Sequence, residues 1–246
     1  MARYKIIIEY NGSDFHGWQE QKGLKSVQQT IQDAILKFSS ELVMIYGAGR
    51  TDAGVHATGQ VAHFDLQNPK DPNEVRRAIN HFLKNENIAI LKCEIVPQDF
   101  HARFSAISRS YVYKIINRRA HLTTQKGFVW HVIEPLDATL MNEAAQHLIG
   151  FHDFESFRSA HCQSQSSLKS IDSIRVERHG GNIEIFITAR SFLHNQVRII
   201  VGTLRKVGNG SWNPSKVIEI LQAKDRSSAG QTAPPYGLYF TLCTHA

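Results

Sequence analysis

Cysteine is scarce: the 246-residue chain has three, Cys93, Cys162 and Cys243, odd in number and far apart. That excludes a disulfide framework and a paired C-x-x-C zinc site, and makes reduced thiols in a cytoplasmic protein the expectation. No apolar run approaches the roughly 18 residues of a membrane helix. The first residues lead straight into the strand-like Tyr4-Lys5-Ile6-Ile7-Ile8-Glu9-Tyr10, with no basic and then apolar leader of a signal peptide. Histidines are plentiful, but His56, His63, His101, His161 and His194 show no H-x-x-x-H or Cys/His ligand spacing, so no metal site is expected. Low-complexity tracts are missing as well.

What is present is an ordinary globular composition, 42% hydrophobic and 20% charged, in a chain long enough to bury a core without staples. The formal net charge is +6, and it is unevenly placed. Residues 1–104 balance twelve Lys and Arg against twelve Asp and Glu, whereas 105–246 carry sixteen against ten. Two stretches hold no carboxylate: Phe100 to Ile133, with Arg103, Arg109, Lys114, Arg118, Arg119 and Lys126, and Ile185 to Ile218, with Arg190, Arg198, Arg205, Lys206 and Lys216. A face built from both would concentrate a polyanion such as RNA, and is equally compatible with a merely soluble basic surface.

Apolar spacing gives the order of elements. Lys5 to Tyr10 reads as a strand, and the capping box Ser26-x-x-Gln29 opens a helix with Val27, Ile31, Ala34, Ile35 and Phe38 on one face. Strands follow near Leu42 to Tyr46 and Gln60 to Asp65. Asp71-Pro72-Asn73-Glu74 caps a second helix, and Ile88 to Glu94 closes a β-α-β-β-α-β set. The second half repeats the order: strand Ser110 to Ile116, a helix capped by Asp137 and running to Gly150, a hairpin of Ile171 to Glu177 and Ile183 to Thr188, a helix near His194 to Val207, a short helix after Asn213-Pro214, and strand Leu238 to Cys243. The expected fold is α+β: two ferredoxin-like halves, 1–104 and 105–246, joined into one mostly antiparallel sheet with a central cleft. Lys224 to Gly237, rich in Ser, Gly and Pro, reads as a mobile loop.

The segment Gly47-Ala48-Gly49-Arg50-Thr51-Asp52-Ala53-Gly54-Val55-His56-Ala57 lies between two strands and is too long for a hairpin turn. Its glycines permit positive φ and close approach of a ligand to the backbone. Asp52 there suits a nucleophile, a general base or an electrostatic stabiliser, and equally a turn residue capping backbone amides. Arg50 is placed to orient that carboxylate or to reach a phosphate. The loop is no phosphate cradle, since G-x-G-x-x-G is incomplete and no helix follows. A glycosidase would want a second carboxylate, and the loop supplies none.

This run resembles the signature of the TruA family of tRNA pseudouridine synthases, and further blocks similar to that family follow in order along nearly the whole chain. They are Tyr10-Asn11-Gly12-Ser13 with Gly17-Trp18-Gln19, Ser26-Val27-Gln28, Phe100-His101-Ala102-Arg103-Phe104-Ser105, Arg109-Ser110-Tyr111-Val112-Tyr113, Asp153-Phe154-x-Ser156-Phe157, Phe192 to Gly202 containing Val197-Arg198, and Pro234-Pro235-Tyr236-Gly237-Leu238-Tyr239. Ser110 departs from the pattern, standing where Arg is common, and Gly230-Gln231-Thr232-Ala233 lies in a variable region.

The resemblance implies an isomerase that detaches uracil from C1′ of a uridine and rejoins it through C5, without a cofactor. It implies that Asp52 is catalytic, that Tyr111 stacks on the flipped uracil, that Arg50 fills the space the base vacates, that Arg198 pairs with Asp52 across the cleft, and that Leu238 lines the uracil pocket. It further implies tRNA as substrate, at positions 38–40 of the anticodon arm, and a cytoplasmic homodimer. Period-two alternation puts Tyr113 on the same strand face as Tyr111, so the preference for Tyr111 rests on the resemblance. Two rivals share parts of the pattern. An RNA-recognition domain has the same β-α-β-β-α-β order, but its aromatic, basic RNP1 run is absent. A nucleoside hydrolase would release free uracil.

Overall fold

The computed structural model describes residues 1–160 and 162–245. His161, weighed above as a metal ligand, lies outside the described residues. In chain order the strands and α-helices are β1 (Ala2–Tyr10), α1 (Val27–Ser39), β2 (Tyr46–Gly47), β3 (His56–Leu66), α2 (Pro72–Phe82), β4 (Ile88–Val96), β5 (Ala106–Asn117), β6 (Trp130–Val132), α3 (Ala138–Gln146), β7 (Gly150–Asp153), β8 (Leu168–His179), β9 (Asn182–Ala189), α4 (Gln196–Gly208), α5 (Lys216–Ala223) and β10 (Leu238–His245). The architecture is α+β and mostly antiparallel, as expected. None of these helices is long and apolar enough to cross a membrane.

The backbone divides into two compact units, Met1–Arg109 with the chain from Tyr239 onward, and Ser110–Leu238. In the first, the strand order is β4-β1-β3-β10, with β2 also paired to β3. Tyr4, Ile6, Ile8 and Tyr10 alternate into the core from β1, whose antiparallel register sets Ile6 opposite Ala62 on one side and Cys93 on the other. β3 is buried along nearly its whole length, as befits a strand covered on both faces. β10 runs parallel to it, with Tyr239 opposite His56.

Helix ends follow the sequence signals. Ser26 Oγ accepts from Gln29 N–H at 3.2 Å, and Asp71 accepts from the Asn73 and Glu74 amides with Pro72 at the first helical position. Such caps contribute about 1 kcal/mol each. The buried stripes are Val27, Ile31, Ala34 and Ile35 in α1, and Val75 and Ile79 in α2.

One expected strand is largely absent. Of Leu42 to Tyr46, only Tyr46 joins a ladder. The reason is local: Ile45 N–H donates to Gln32 Oε1 at 3.1 Å and Ile45 C=O accepts from Gln28 Nε2 at 3.0 Å, so side chains of α1 satisfy the backbone groups a neighbouring strand would have taken.

In the second unit the strand order is β5-β9-β8-β7, with β6 parallel to β5. The short β6 and β7 carry too little alternation to be read from sequence. The β8–β9 hairpin closes with His179 opposite Asn182, as expected. α4 is the core helix: Ile199, Ile200, Val201, Leu204 and Val207 are fully buried.

A histidine cluster in the first unit ties the Phe100–Ser105 turn to β3. His63 is buried, its Nδ1 accepts from Ala102 N–H at 3.2 Å, and its ring stacks on Tyr46 and meets His101 edge-on. Burial, then the neighbouring His101 and the Arg3 guanidinium, push its pKa down to about 4, against a smaller opposing pull from Asp65. A depressed histidine pKa means that the fold holds the neutral ring. Its stabilisation is therefore present above the unfolded value near 6.5 and is lost as pH falls towards 4. Unfolding free energy should drop by roughly 2 kcal/mol between pH 7 and pH 5 from this group. In His63→Asn, whose carbonyl still accepts from Ala102 and does not titrate, denaturant midpoints at the two pH values should lie much closer together; an undiminished pH dependence in that variant would rule His63 out as its source.

Candidate active site

Asp52 sits half-buried in the segment from Ala48 to Val55, which has neither helix nor ladder of its own. Its conformation is imposed from outside. Ala48 N–H donates to Val61 C=O at 2.8 Å and Ala48 C=O accepts from Arg109 Nε at 2.9 Å. Gln60, buried on β3, donates from Nε2 to Gly49 C=O at 2.8 Å. The hydroxyls of Tyr10 and Thr51 are 2.8 Å apart, and burial pushes the Tyr10 pKa up to about 12, so this phenol stays protonated. Trp18 N–H donates to Thr51 C=O at 3.1 Å, and Val55 N–H closes back on Asp52 C=O at 3.1 Å. His56 then takes the loop into β3: its Nδ1 accepts from Gly12 N–H at 3.0 Å and its ring stacks on Tyr239 at 4.8 Å.

Two glycines outside the loop make this possible. A Cβ on Gly12 would lie 2.0 Å from Val55 O, and a Cβ on Gly17 would lie 2.5 Å from Thr51 O, with Gly17 at φ +88° besides. Both obstacles are backbone, which cannot swing aside as a side chain does. The sequence blocks Tyr10 to Ser13 and Gly17 to Gln19 thus wall the Asp52 loop, a role their residue types alone did not disclose. The signal was there in the pairing of a lone Gly with each backbone approach, but without a fold it pointed nowhere.

Arg50 lies in the same loop and is exposed. Tyr111, Arg198 and Leu238 belong to the second unit. Tyr111 is 8% exposed on β5, its ring edge-on to Phe192 at 5.3 Å. Tyr113 is wholly buried, donates its hydroxyl to Pro234 C=O at 2.8 Å and meets Trp130 edge-on. Burial holds its pKa well above the usual tyrosine value. Both tyrosines are buried, Tyr113 the more completely.

Arg198 on α4 donates from Nε to Ala233 C=O and from Nη1 to Asn195 Oδ1, both at 2.7 Å. Ala233 N–H returns to Arg198 C=O at 3.0 Å. Gly230 presses on α4 at Gly202, where an added Cβ would sit 1.7 Å from Gln231 O, and Gly237 lies flat on the Tyr113 ring. The Ser, Gly and Pro content of Lys224 to Gly237 suggested mobility, but residues 230–238 are instead clamped between α4 and β5. Their glycines serve close packing. Leu238, 5% exposed, is the last residue of that clamp.

The basic stretches are not uniformly open. Arg205 pairs with Glu134 at 2.7 Å beside Trp130, and Arg109 donates to Ala48 C=O and, at 2.8 Å, to Arg103 C=O. These guanidiniums hold the fold together as well as carrying charge.

Within the first unit, a carboxylate on an externally braced loop can stabilise positive charge that develops on a substrate. The family model for tRNA pseudouridine synthase matches residues 6–105 and 144–245 of the chain. Curated proteins called tRNA pseudouridine synthase A are similar over nearly full length. That of Parvibaculum lavamentivorans is 53% identical over 239 residues, spanning 97% of this chain and 97% of its own. That of Wolbachia pipientis is 52% identical over 238 residues, 96% and 97% of the two chains; that of Ehrlichia canis is 55% identical over 239 residues, 97% and 98%. The chain belongs to the tRNA pseudouridine synthase family, a family of isomerases.

Bracing by Gly17 makes a specific demand. Gly17→Ala should leave the circular dichroism spectrum in place while lowering kcat by about 100-fold, the loss expected where a loop that meets the substrate shifts by about an ångström. The check is turnover of unmodified tRNA at saturating concentration, and wild-type kcat in the variant would show that the loop tolerates the shift.

Proposed function

We infer that the protein converts uridine to pseudouridine at positions 38–40 of the tRNA anticodon arm, with Asp52 as the catalytic group. The observation that carries this reading is the position of Asp52, the acid of Arg50-Thr51-Asp52, on a loop held at the backbone of Ala48, Gly49, Thr51 and Gly54, at the Thr51 hydroxyl and at the His56 ring, by partners from β1, β3, the Gly12–Trp18 segment and Arg109. A turn residue needs no such scaffold; a carboxylate that must meet one atom of a substrate does.

The chemistry breaks C1′–N1, turns the uracil and forms C1′–C5, and the proton on C5 leaves. Positive character grows at C1′ as the first bond breaks, and the Asp52 carboxylate offsets or captures it. Tyr111 offers its ring as a stacking surface for the flipped uracil and its hydroxyl for the C5 proton. Arg50, exposed and two residues from Asp52, takes the place the base leaves in the RNA stack. Arg198 pairs with the Asp52 carboxylate, and Leu238 supplies an apolar wall for the uracil. Flipping costs a few kcal/mol, which favours loop and stem-end positions such as those of the anticodon arm. The open cations of the two carboxylate-free stretches hold the tRNA body. The working protein is a cytoplasmic homodimer in this reading.

The test uses tRNA tritiated at uracil C5. Wild type should release tritium to water without releasing uracil. Asp52→Asn, which keeps shape and removes charge, should release it at least 1,000-fold more slowly, and Tyr111→Phe, which keeps the ring and loses the hydroxyl, about 10- to 100-fold more slowly. Free uracil as product would point to a hydrolase, and tRNA binding without tritium release to a non-catalytic RNA-binding module.

A further inference from the structure

The turn Phe100–Ser105 is held in the first unit by side chains that converge on its backbone. The Arg3 guanidinium, fixed by two bonds to Asp65 at 2.8 and 2.9 Å, donates to Phe100 C=O at 2.8 Å. His63 takes Ala102 N–H and His245 meets Ala102 C=O at 2.9 Å. His101 Nδ1 accepts from Arg103 N–H at 3.1 Å and Phe104 N–H at 3.4 Å, while Ser105 bonds back to His101 through both backbone and hydroxyl. This turn presents one large apolar side chain to solvent. Phe104 is 74% exposed, with the His101 ring at 4.4 Å on one side and the Arg103 guanidinium 5.7 Å from its centroid.

A hydrophobic ring on a braced turn is neither a core residue nor a fraying one, and its surroundings say what it is for. Arg109 donates to Arg103 C=O with one nitrogen and to Ala48 C=O with another, so a single guanidinium links this turn to the Asp52 loop. No carboxylate occurs from Phe100 to Ile133. An exposed aromatic with an adjoining arginine, in a stretch of chain without carboxylates, has the chemistry of a nucleobase platform: the ring offers a π-face and the cation attracts the flanking phosphate.

We propose that Phe104 is a positioning residue that stacks on a nucleobase of the substrate RNA close to the reacting uridine, setting the register in which that uridine meets Asp52. The proposal rests on the reading of the protein as a tRNA-modifying enzyme. The ring is not itself catalytic, so its loss falls on KM more than on kcat.

Three variants and two readouts test it. With C5-tritiated tRNA, Phe104→Ala should raise KM about 5- to 150-fold, the range that loss of one base–aromatic stack spans. Phe104→Trp should restore it, and Leu42→Ala, which trims a side chain 89% exposed on the same unit, should change neither constant. In Phe104→Trp the added indole emission should be quenched by unmodified tRNA beyond the change seen in wild type. Unchanged KM in Phe104→Ala beside an active wild type would overturn the proposal and leave the activity standing. Saturable quenching with no tritium release from wild type would uphold the stack and sink the activity. A shift in sedimentation of Phe104→Ala with no extra quenching in Phe104→Trp would assign the ring to a contact between copies of the chain and overturn the proposal.

Discussion

The candidate site depends on backbone pressed against backbone. Between Gly12 and Gly17 on one side and Thr51 and Val55 on the other there is no room for a Cβ, and two segments this close exclude water. Every polar group in the contact then needs a protein partner, because an orphaned buried donor or acceptor costs about 1–3 kcal/mol. Those partners are the bonds that define the loop: Trp18 to Thr51, Gly54 to Phe15, Gly12 to His56. Close approach and hydrogen-bond satisfaction are therefore one constraint seen twice. Loosening either releases Asp52 from its fixed position.

The second unit solves a similar problem by similar means. Residues 230–238 have little regular structure, yet Gly230 lies against α4 at Gly202, Gly237 against Tyr113, and the carbonyls of Ala233 and Pro234 are taken by Arg198 and the Tyr113 hydroxyl. An arginine donating to a carbonyl recurs in the first unit, where Arg109 serves Ala48 and Arg103. Arginine suits this task because its planar fork addresses two acceptors at once and keeps its charge when partly buried. A Lys in either place would offer its donors from a single nitrogen on a flexible stem, without the planar fork that spans two separated acceptors.

Elements with strong local periodicity were legible in the sequence, and elements defined by their neighbours were not. The caps at Ser26 and Asp71 and the alternation of β1 carry their own instructions, and the structure follows them. Leu42 to Ile45 has strand-like residues but loses its ladder to Gln28 and Gln32, whose reach across to it no spacing reveals. That the last strand runs beside His56 and Ala57 is likewise a long-range fact. At the site, Asp52 stood out by its loop and its resemblance, but Gly17, Tyr10 and Gln60 act only through distances between residues far apart in the chain. Glycine-rich sequence was ambiguous in the same way: in 230–237 it read as freedom and proves to be the condition for tight packing.

Charge composition says less about RNA binding than the net +6 suggests, because several cations are structural. Arg3 is held by Asp65, Arg205 by Glu134, and Arg109 is engaged with carbonyls. The exposed remainder attracts a polyanion through the ionic atmosphere, a force with long range and little positional information, since every phosphate resembles the next. On the proposed reading, in which one uridine meets Asp52, the enzyme needs register as well as attraction. Register comes from short-range contacts whose energy falls steeply with displacement, and a base stacked on a ring that cannot move is such a contact. On that reading the bonds that pin the Phe100–Ser105 turn serve the same end as those that pin Asp52: a reference point for the substrate is only as good as the rigidity behind it.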